Sequence, residues 1–468
     1  MNNLPHFIYI FCDELRADAL GCYGGPVPTP HIDALAARGT LFENSFCNSP
    51  VCVASRFSIL TSRYPEETGV YHNEAAYPAY PVVDGFDMFT NVLALAGYAT
   101  ASFGKTHLPK TTVPPFAMND GAGGEMTLGL VPGEAENVFK PAGSFKSVLA
   151  ADYPVGKHYR PACVTEHGLA WLAEQTGPYF TRFSFLQPHT PIIVPPGYVD
   201  RVPADAFDGL IDAYPTSAFE RRFAEICDIR DMGPTDAARM RRYYQALVLW
   251  VDDQVGRIVE AVERRGDAAS TYIIFHADHG ASRGENGFLA KQVFAPQAQR
   301  VPLIIAGPGV PAGVRDAGLC DGLDIGPTVL ARAGLAAPAG FKGVDLFVPD
   351  REKPFSFATI GYGERNSRAF PNKMQGEYAT GSGWPRRACV RTGCYRLDMS
   401  VRQDGEAIPA GDDCFLCDYA DDPHERVNLA DDPAYGEVLD RLRRILGEHV
   451  AGSREIDDPS VLAFPRRR

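Results

Sequence analysis

The chain has 468 residues, with 45 Lys and Arg against 58 Asp and Glu, a formal net charge of −13. Hydrophobic residues make up 45% and charged residues 22%, enough apolar content for a large buried core, which excludes a disordered chain. The acidic balance excludes a general nucleic-acid or anionic-membrane binder, and no apolar run reaches the roughly 20 residues of a spanning helix.

In chain order, residues 7–11 form a short apolar run that reads as a buried strand. The segment before it lacks a basic stretch and a small-residue cleavage site, so a cytoplasmic location is expected. Thr29-Pro30 opens a helix, with Thr as N-cap and Pro in the first turn. Ile32, Leu35 and Ala36 follow at helical spacing and Gly39 closes it. A helix around Leu93 ends at Gly97, before a strand at 99–103. A helix marked by Leu169, Leu172 and Ala173 precedes a strand at 179–186. A long amphipathic helix over 235–265 leads into strands at 271–275 and 301–306. This alternation predicts an α/β domain over 1–350, with a mixed, mostly parallel sheet sandwiched by helices. Beyond residue 350, short strand-like runs at 388–391 and 415–419 and an amphipathic helix at 435–450 predict a smaller C-terminal α/β subdomain, 351–468. Segments 110–160 and 190–235 are rich in Pro, Gly and Asp and read as long functional loops.

The eleven cysteines are scattered, and a large chain of this kind needs no disulfide framework. Cys414-x-x-Cys417 fits half a zinc site, a redox pair or two thiols beside a strand, and no second CxxC or His pair completes it.

Two acidic clusters lie just past predicted strands, where open α/β sheets bind ligands: Asp13-Glu14 and Asp278-His279-Gly280. Three carboxylates and an imidazole suit a hard divalent cation, Ca²⁺ first, with Mg²⁺ or Mn²⁺ as alternatives. Asp13 and Asp278 are equally readable as caps of the following turns. Cys52, with Arg56 one turn on, sits at the start of a helix-forming run, where the positive potential favours an anion or a thiolate; a buried structural Cys is the other reading.

Cys52-Val53-Ala54-Ser55-Arg56 resembles the C-x-(P/A)-x-R motif of the type I sulfatases, members of the alkaline phosphatase superfamily. The resemblance continues through Asp13-Glu14-Leu15-Arg16-Ala17-Asp18, Thr29-Pro30-His31-Ile32-Asp33, Gly104-Lys105-Thr106-His107-Leu108, Gln187-Pro188-His189-Thr190-Pro191, Asp278-His279-Gly280 with Lys291, and Asp421-Asp422-Pro423-His424-Glu425 with Asn428-Leu429. It implies an alkaline-phosphatase-like fold and hydrolysis of a sulfate monoester. The nucleophile would be a formylglycine made from Cys52 by a formylglycine-generating enzyme. By position, Asp13, Glu14, Asp278 and His279, with residue 52, would hold one divalent cation. Arg56 and Lys105 would stabilise the hydrated aldehyde, and His107 would be the base that releases sulfate. His189 and Lys291 would bind sulfate oxygens, with His189 protonating the leaving group, and Asn73 would be a further polar group near the ester. Tyr362, Arg365 and Asn366 are candidates for the mouth of the pocket.

Three positions depart from the family pattern. Glu14 stands where many sulfatases have Asp, and where choline sulfatases and phosphonate monoester hydrolases often have Gln; Ala54 replaces Pro and Ser62 replaces Gly. The runner-up reading is therefore a phosphonate monoester or phosphodiester hydrolase on the same site; a non-catalytic anion- or sugar-binding relative is more remote. The expected substrate is a small sulfate ester that enters the cell, with no nucleic-acid or membrane partner, and a homo-oligomer is compatible with the sequence.

Overall fold

The computed structural model describes residues 4–451 and 453, except 78–79, 142–146, 208–216, 218, 222–223, 225–231, 286–287, 362–385 and 402–412. Its centre is an eight-stranded sheet built from β1 (His6–Asp13), β2 (Thr40–Phe46), β3 (Ala99–Gly104), β4 (Met118–Asp120), β5 (Tyr179–Pro188), β6 (Thr271–Ala277), β7 (Leu303–Ala306) and β8 (Val314–Asp321). The order is β8-β2-β7-β6-β1-β5-β3-β4. β1 runs parallel to both neighbours, with Phe7 opposite Phe180 and Tyr272. Only β7 is antiparallel to its neighbours β6 and β2, so the sheet is mixed and mostly parallel.

β1 reads as an unbroken apolar run because both its faces are covered. Ile8, Ile10 and Cys12 pack in a layer with helix α1 (Pro30–Ala37), α4 (Cys163–Ala173) and α5 (Pro234–Arg265). Phe7, Tyr9 and Phe11 face the opposite layer, with α2 (Cys52–Thr61), α3 (Phe89–Leu95) and α6 (Ile325–Arg332). α5 begins with Pro at its first turn and ends at Gly266, whose φ of 78° closes the helix.

Thr29 does not cap α1 with its side chain as the sequence predicts. Its hydroxyl donates to Asp33, and Asp252, from α5, accepts the free N–H groups of His31 and Ile32 instead. The cap is supplied from 220 residues away, which no local pattern reveals.

A second sheet, antiparallel, comprises β9 (Ser356–Gly361), β10 (Arg386–Arg391), β11 (Tyr395–Val401) and β12 (Phe415–Asp418) in sequential order. Helix α7 (Gly436–Val450) packs Leu439, Leu442, Leu446 and Val450 against it. Glu425 and Asn428 belong to this unit: Asn428 accepts from the Leu416 N–H and donates to the Cys414 carbonyl. Cys414 and Cys417 are free thiols. No helix among the described residues is long and apolar enough to cross a membrane.

Candidate active site

The adjacent parallel strands β1 and β6 release the chain side by side at the same edge of the sheet. Asp13 ends β1 where its register with β5 shifts, and Asp278 follows β6, its N–H donating to the Cys12 carbonyl. Glu14 turns away with φ 60°, an unusual conformation for a residue with a Cβ. α2 begins at Cys52, and all ten of its residues are buried.

The Cys52 sulfur is the point of convergence. Lys291 Nζ lies at 2.8 Å, His279 Nε2 at 3.3 Å, Asp13 Oδ1 at 3.6 Å and Lys105 Nζ at 3.8 Å. Burial pushes the thiol up, but Lys105, Lys291 and His279 more than offset this and hold it well below the ordinary thiol range. Arg56 stays behind the sulfur. Its Nε donates to Asp278 at 2.7 Å, one terminal nitrogen to Asp13 at 2.8 Å, and the other to the Lys105 carbonyl and Ser184. It therefore fixes both carboxylates and the Lys105 backbone at once.

Lys105 Nζ lies 2.6 Å from Asp13 Oδ2. It follows Gly104, whose φ of 91° and close approach require glycine: a Cβ there would stand 2.2 Å from the Ser184 carbonyl oxygen. His107 is half-buried with φ 45° and bonds to the Cys52 sulfur, while its Nδ1 has no hydrogen-bond partner among the described residues. Burial holds His107 below the usual imidazole range despite the nearby sulfur, so the ring is neutral at pH 7 and available to accept a proton. His189 turns Nδ1 to the Thr190 carbonyl, and its Nε2 lies 3.1 Å from Lys291 and 3.2 Å from Glu14. Asn73 accepts from the Val53 N–H at 3.0 Å, in the first turn of α2. Cys52, Asn73, Lys105, His107 and His189 line one cavity of about 440 Å³, together with Glu125 and Met126.

Asp13, Cys52, Asp278 and His279 are buried with donor atoms all within 4.8 Å of one another, and Asp13, Glu14 and His189 form a second such group. His279 Nδ1 donates to the Gly280 carbonyl at 2.8 Å, which turns Nε2, with its lone pair, toward the centre beside the Cys52 sulfur. Burial and the Asp13 charge push Asp278 up to about 6. Burial also opposes ionisation of Asp13, but Lys105, His189 and Arg56 outweigh it. Paired carboxylates with a pre-oriented imidazole fit a hard divalent cation. Glu14 meets a different cation on each oxygen: Oε1 lies 2.9 Å from Lys291 and Oε2 lies 2.9 Å from Arg283.

The structure thus brings Asp13, Glu14, Cys52, Arg56, Lys105, His107, His189, Asp278, His279 and Lys291 into one cluster, with Asn73 at its rim. Tyr362, Arg365 and Asn366 lie outside the described residues. Arg283, Tyr244 and Ser184 carry no sequence signal of their own. Ser184 sits inside a strand and Tyr244 inside a helix, and nothing in local spacing marks either.

A family model described as Sulfatase matches residues 5–335. The chain belongs to the sulfatase family. This sulfatase is a sulfuric ester hydrolase of alkaline-phosphatase-like fold. It is 26% identical over 458 residues to the choline-sulfatase of Rhizobium meliloti (strain 1021), covering 92% of this chain and 83% of the relative. It is 25% identical over 485 residues to the arylsulfatase of Clostridium perfringens (strain 13 / Type A), covering 96% and 95%. Among solved structures, the phosphonate monoester hydrolase of Agrobacterium radiobacter superposes with a TM-score of 0.77 at 22% identity, over 95% of this sulfatase and 96% of that chain. A 2-O GAG sulfatase superposes with a TM-score of 0.73 at 21% identity, over 99% and 95%. Both share the fold.

Proposed function

We propose that this sulfatase hydrolyses small sulfate monoesters through a formylglycine made from Cys52, with one divalent cation, Ca²⁺ before Mg²⁺ or Mn²⁺, held by Asp13, Glu14, Asp278, His279 and residue 52. The observation that carries this reading is the convergence of Lys291, His279 and Lys105 within 3.8 Å of one buried sulfur at the floor of a cavity. A hydrated aldehyde at residue 52 supplies two hydroxyls on one carbon, one to attack sulfur and one whose deprotonation expels sulfate. The cation supplies positive charge that makes the attacking hydroxyl acidic.

The chain's own side chains do the rest. Lys105 and Lys291 sit where negative charge accumulates on the transferred group. His107, neutral and facing residue 52, takes the proton of the second hydroxyl. His189, backed by the Thr190 carbonyl on Nδ1, presents Nε2 to the leaving oxygen. Arg56 keeps Asp13 and Asp278 in register. Arg56, Lys105, Lys291 and Arg283, with a cation, against Asp13, Glu14 and Asp278 leave a positive field, which suits singly charged esters and disfavours phosphate monoesters.

The second reading, a phosphonate monoester or phosphodiester hydrolase, draws on the likeness to the Agrobacterium radiobacter enzyme. The deciding measurement is kcat/KM for a matched aryl series differing only in the transferred group. The sulfate ester should be fastest, singly charged phosphorus esters slower and the phosphate monoester slowest; a phosphonate that outruns the sulfate ester replaces the first reading with the second. In protein made alongside a formylglycine-generating enzyme, mass spectrometry of the peptide spanning residue 52 should find the aldehyde. Lys105→Ala and His107→Ala should accumulate a covalent adduct on that residue.

A further inference from the structure

Glu14 is held by a clamp outside the residues assigned above. Its backbone carbonyl accepts from the Tyr244 hydroxyl at 2.7 Å, and that hydroxyl in turn accepts from the Arg16 N–H at 3.1 Å. Its own N–H donates to Asp278 Oδ1 at 3.2 Å. These bonds fix the positive-φ backbone. The side chain is fixed by Arg283, whose terminal nitrogen donates to Oε2 at 2.9 Å. Arg283 is itself immobile: its side chain is 1% exposed, it stacks over the Tyr244 ring at 4.7 Å, and its other terminal nitrogen donates to the Ser282 carbonyl.

The two carboxylate oxygens therefore differ. Oε1 faces Lys291 and His189, side chains that the proposed reaction turns toward substrate. Oε2 faces a buried guanidinium that makes no contact with the cavity around Cys52. Resting on the cation reading above, we propose that Arg283 is a positioning residue that restricts Glu14 to one available oxygen, Oε1, and thereby narrows the site's preference for Ca²⁺ over Mg²⁺. A carboxylate that gives both oxygens suits Ca²⁺, which accepts bidentate ligands and high coordination. Mg²⁺ demands compact octahedral geometry and takes one oxygen per carboxylate. Holding Oε2 away withdraws the option that only Ca²⁺ can use.

The test is calorimetric titration of metal-stripped protein with Ca²⁺ and with Mg²⁺, read as the ratio of the two dissociation constants. Removing a positive charge strengthens binding of both ions alike, so that effect cancels in the ratio and the positioning effect remains. Arg283→Leu should shift the ratio at least about tenfold toward Ca²⁺. In the Glu14→Gln background, where the amide offers a single oxygen, the same substitution should leave the ratio unchanged. Arg283→Met, which keeps more of the aliphatic stem, takes its place if Arg283→Leu does not fold. A ratio unchanged by the single substitution, or shifted equally in both backgrounds, overturns the proposal while leaving the cation reading intact. A wild-type protein that binds neither ion overturns both.

Discussion

In the C-terminal sheet, Arg387, Arg391 and Arg396 are buried among Asp398, Asp413 and Glu425, and each guanidinium is matched by a carboxylate. Arg391 grips Glu425 with two nitrogens at 2.6 and 3.0 Å, while Arg396 joins Glu425 to Asp398. At the ends of β1 and β6 the count is just as dense, but Lys291, Lys105 and His279 also point at a sulfur beside an open cavity. Both regions bury charge; in one the fork geometry closes on itself, and in the other it ends on the Cys52 sulfur beside a cavity. A buried charge cluster therefore signals function when its cations converge on something other than their own counter-ions, and signals architecture when they do not.

The sharpest way to break this contrast is Cys52→Ala. Turnover should fall by roughly a thousandfold or more, as expected for loss of a nucleophile, with the thermal midpoint little changed; steady-state kinetics and a melting curve on one preparation read both. Arg396→Met should do the reverse. It leaves Glu425 and Asp398 under-compensated in the interior and should cost about 3–5 kcal/mol of unfolding free energy in a denaturant titration, with kcat of the folded fraction unchanged.

Glu285 lies between the two behaviours. Burial pushes its carboxyl up, but Arg16 and Arg241 more than offset this and leave it at about 2. A depressed folded-state value means that its contribution is complete above about pH 4.5 and is lost as pH falls toward 2. Glu285→Gln should therefore flatten the acid limb of a stability-against-pH curve by up to about 3 kcal/mol. The smallest effect belongs to Glu14→Gln, which keeps one carbonyl oxygen facing the centre. Activity should drop by less than about tenfold, against loss of both bound metal and activity in Asp278→Ala, checked by elemental analysis beside the rate assay.

The membership of the central cluster is legible because its residues lie in short runs where spacing is set by the strand ends and the start of α2. Asp13, Asp278 and Cys52 each sit within one residue of an element boundary that hydrophobic patterning locates. The supporting layer was not legible. Asp252 capping α1, Tyr244 holding Glu14 and Ser184 bracing Arg56 all act across large sequence separations from the middle of regular elements, where their local pattern is that of any buried helix or strand. Strands β2 and β8 are not legible in the sequence either. β2 carries Glu43 and Asn44 in its middle, and five of the eight residues of β8 are partly or fully exposed, so neither gives a continuous apolar run. The antiparallel direction of β7 follows from the chain's route between β6 and β8, which composition does not encode.

Cys52 opens a helix with no exposed residue, and the cavity it lines admits a small ester but not the active site of another protein. For the proposed maturation this sets a deadline. The modifying enzyme has to take the segment around residue 52 as an extended strand of peptide, before α2 docks against the sheet. Once docked, a chain that missed the encounter keeps its thiol for as long as it stays folded. The fraction of active molecules then records a race between two rates, docking and modification, and slowing synthesis or lowering temperature during expression should raise the aldehyde content without altering the finished fold.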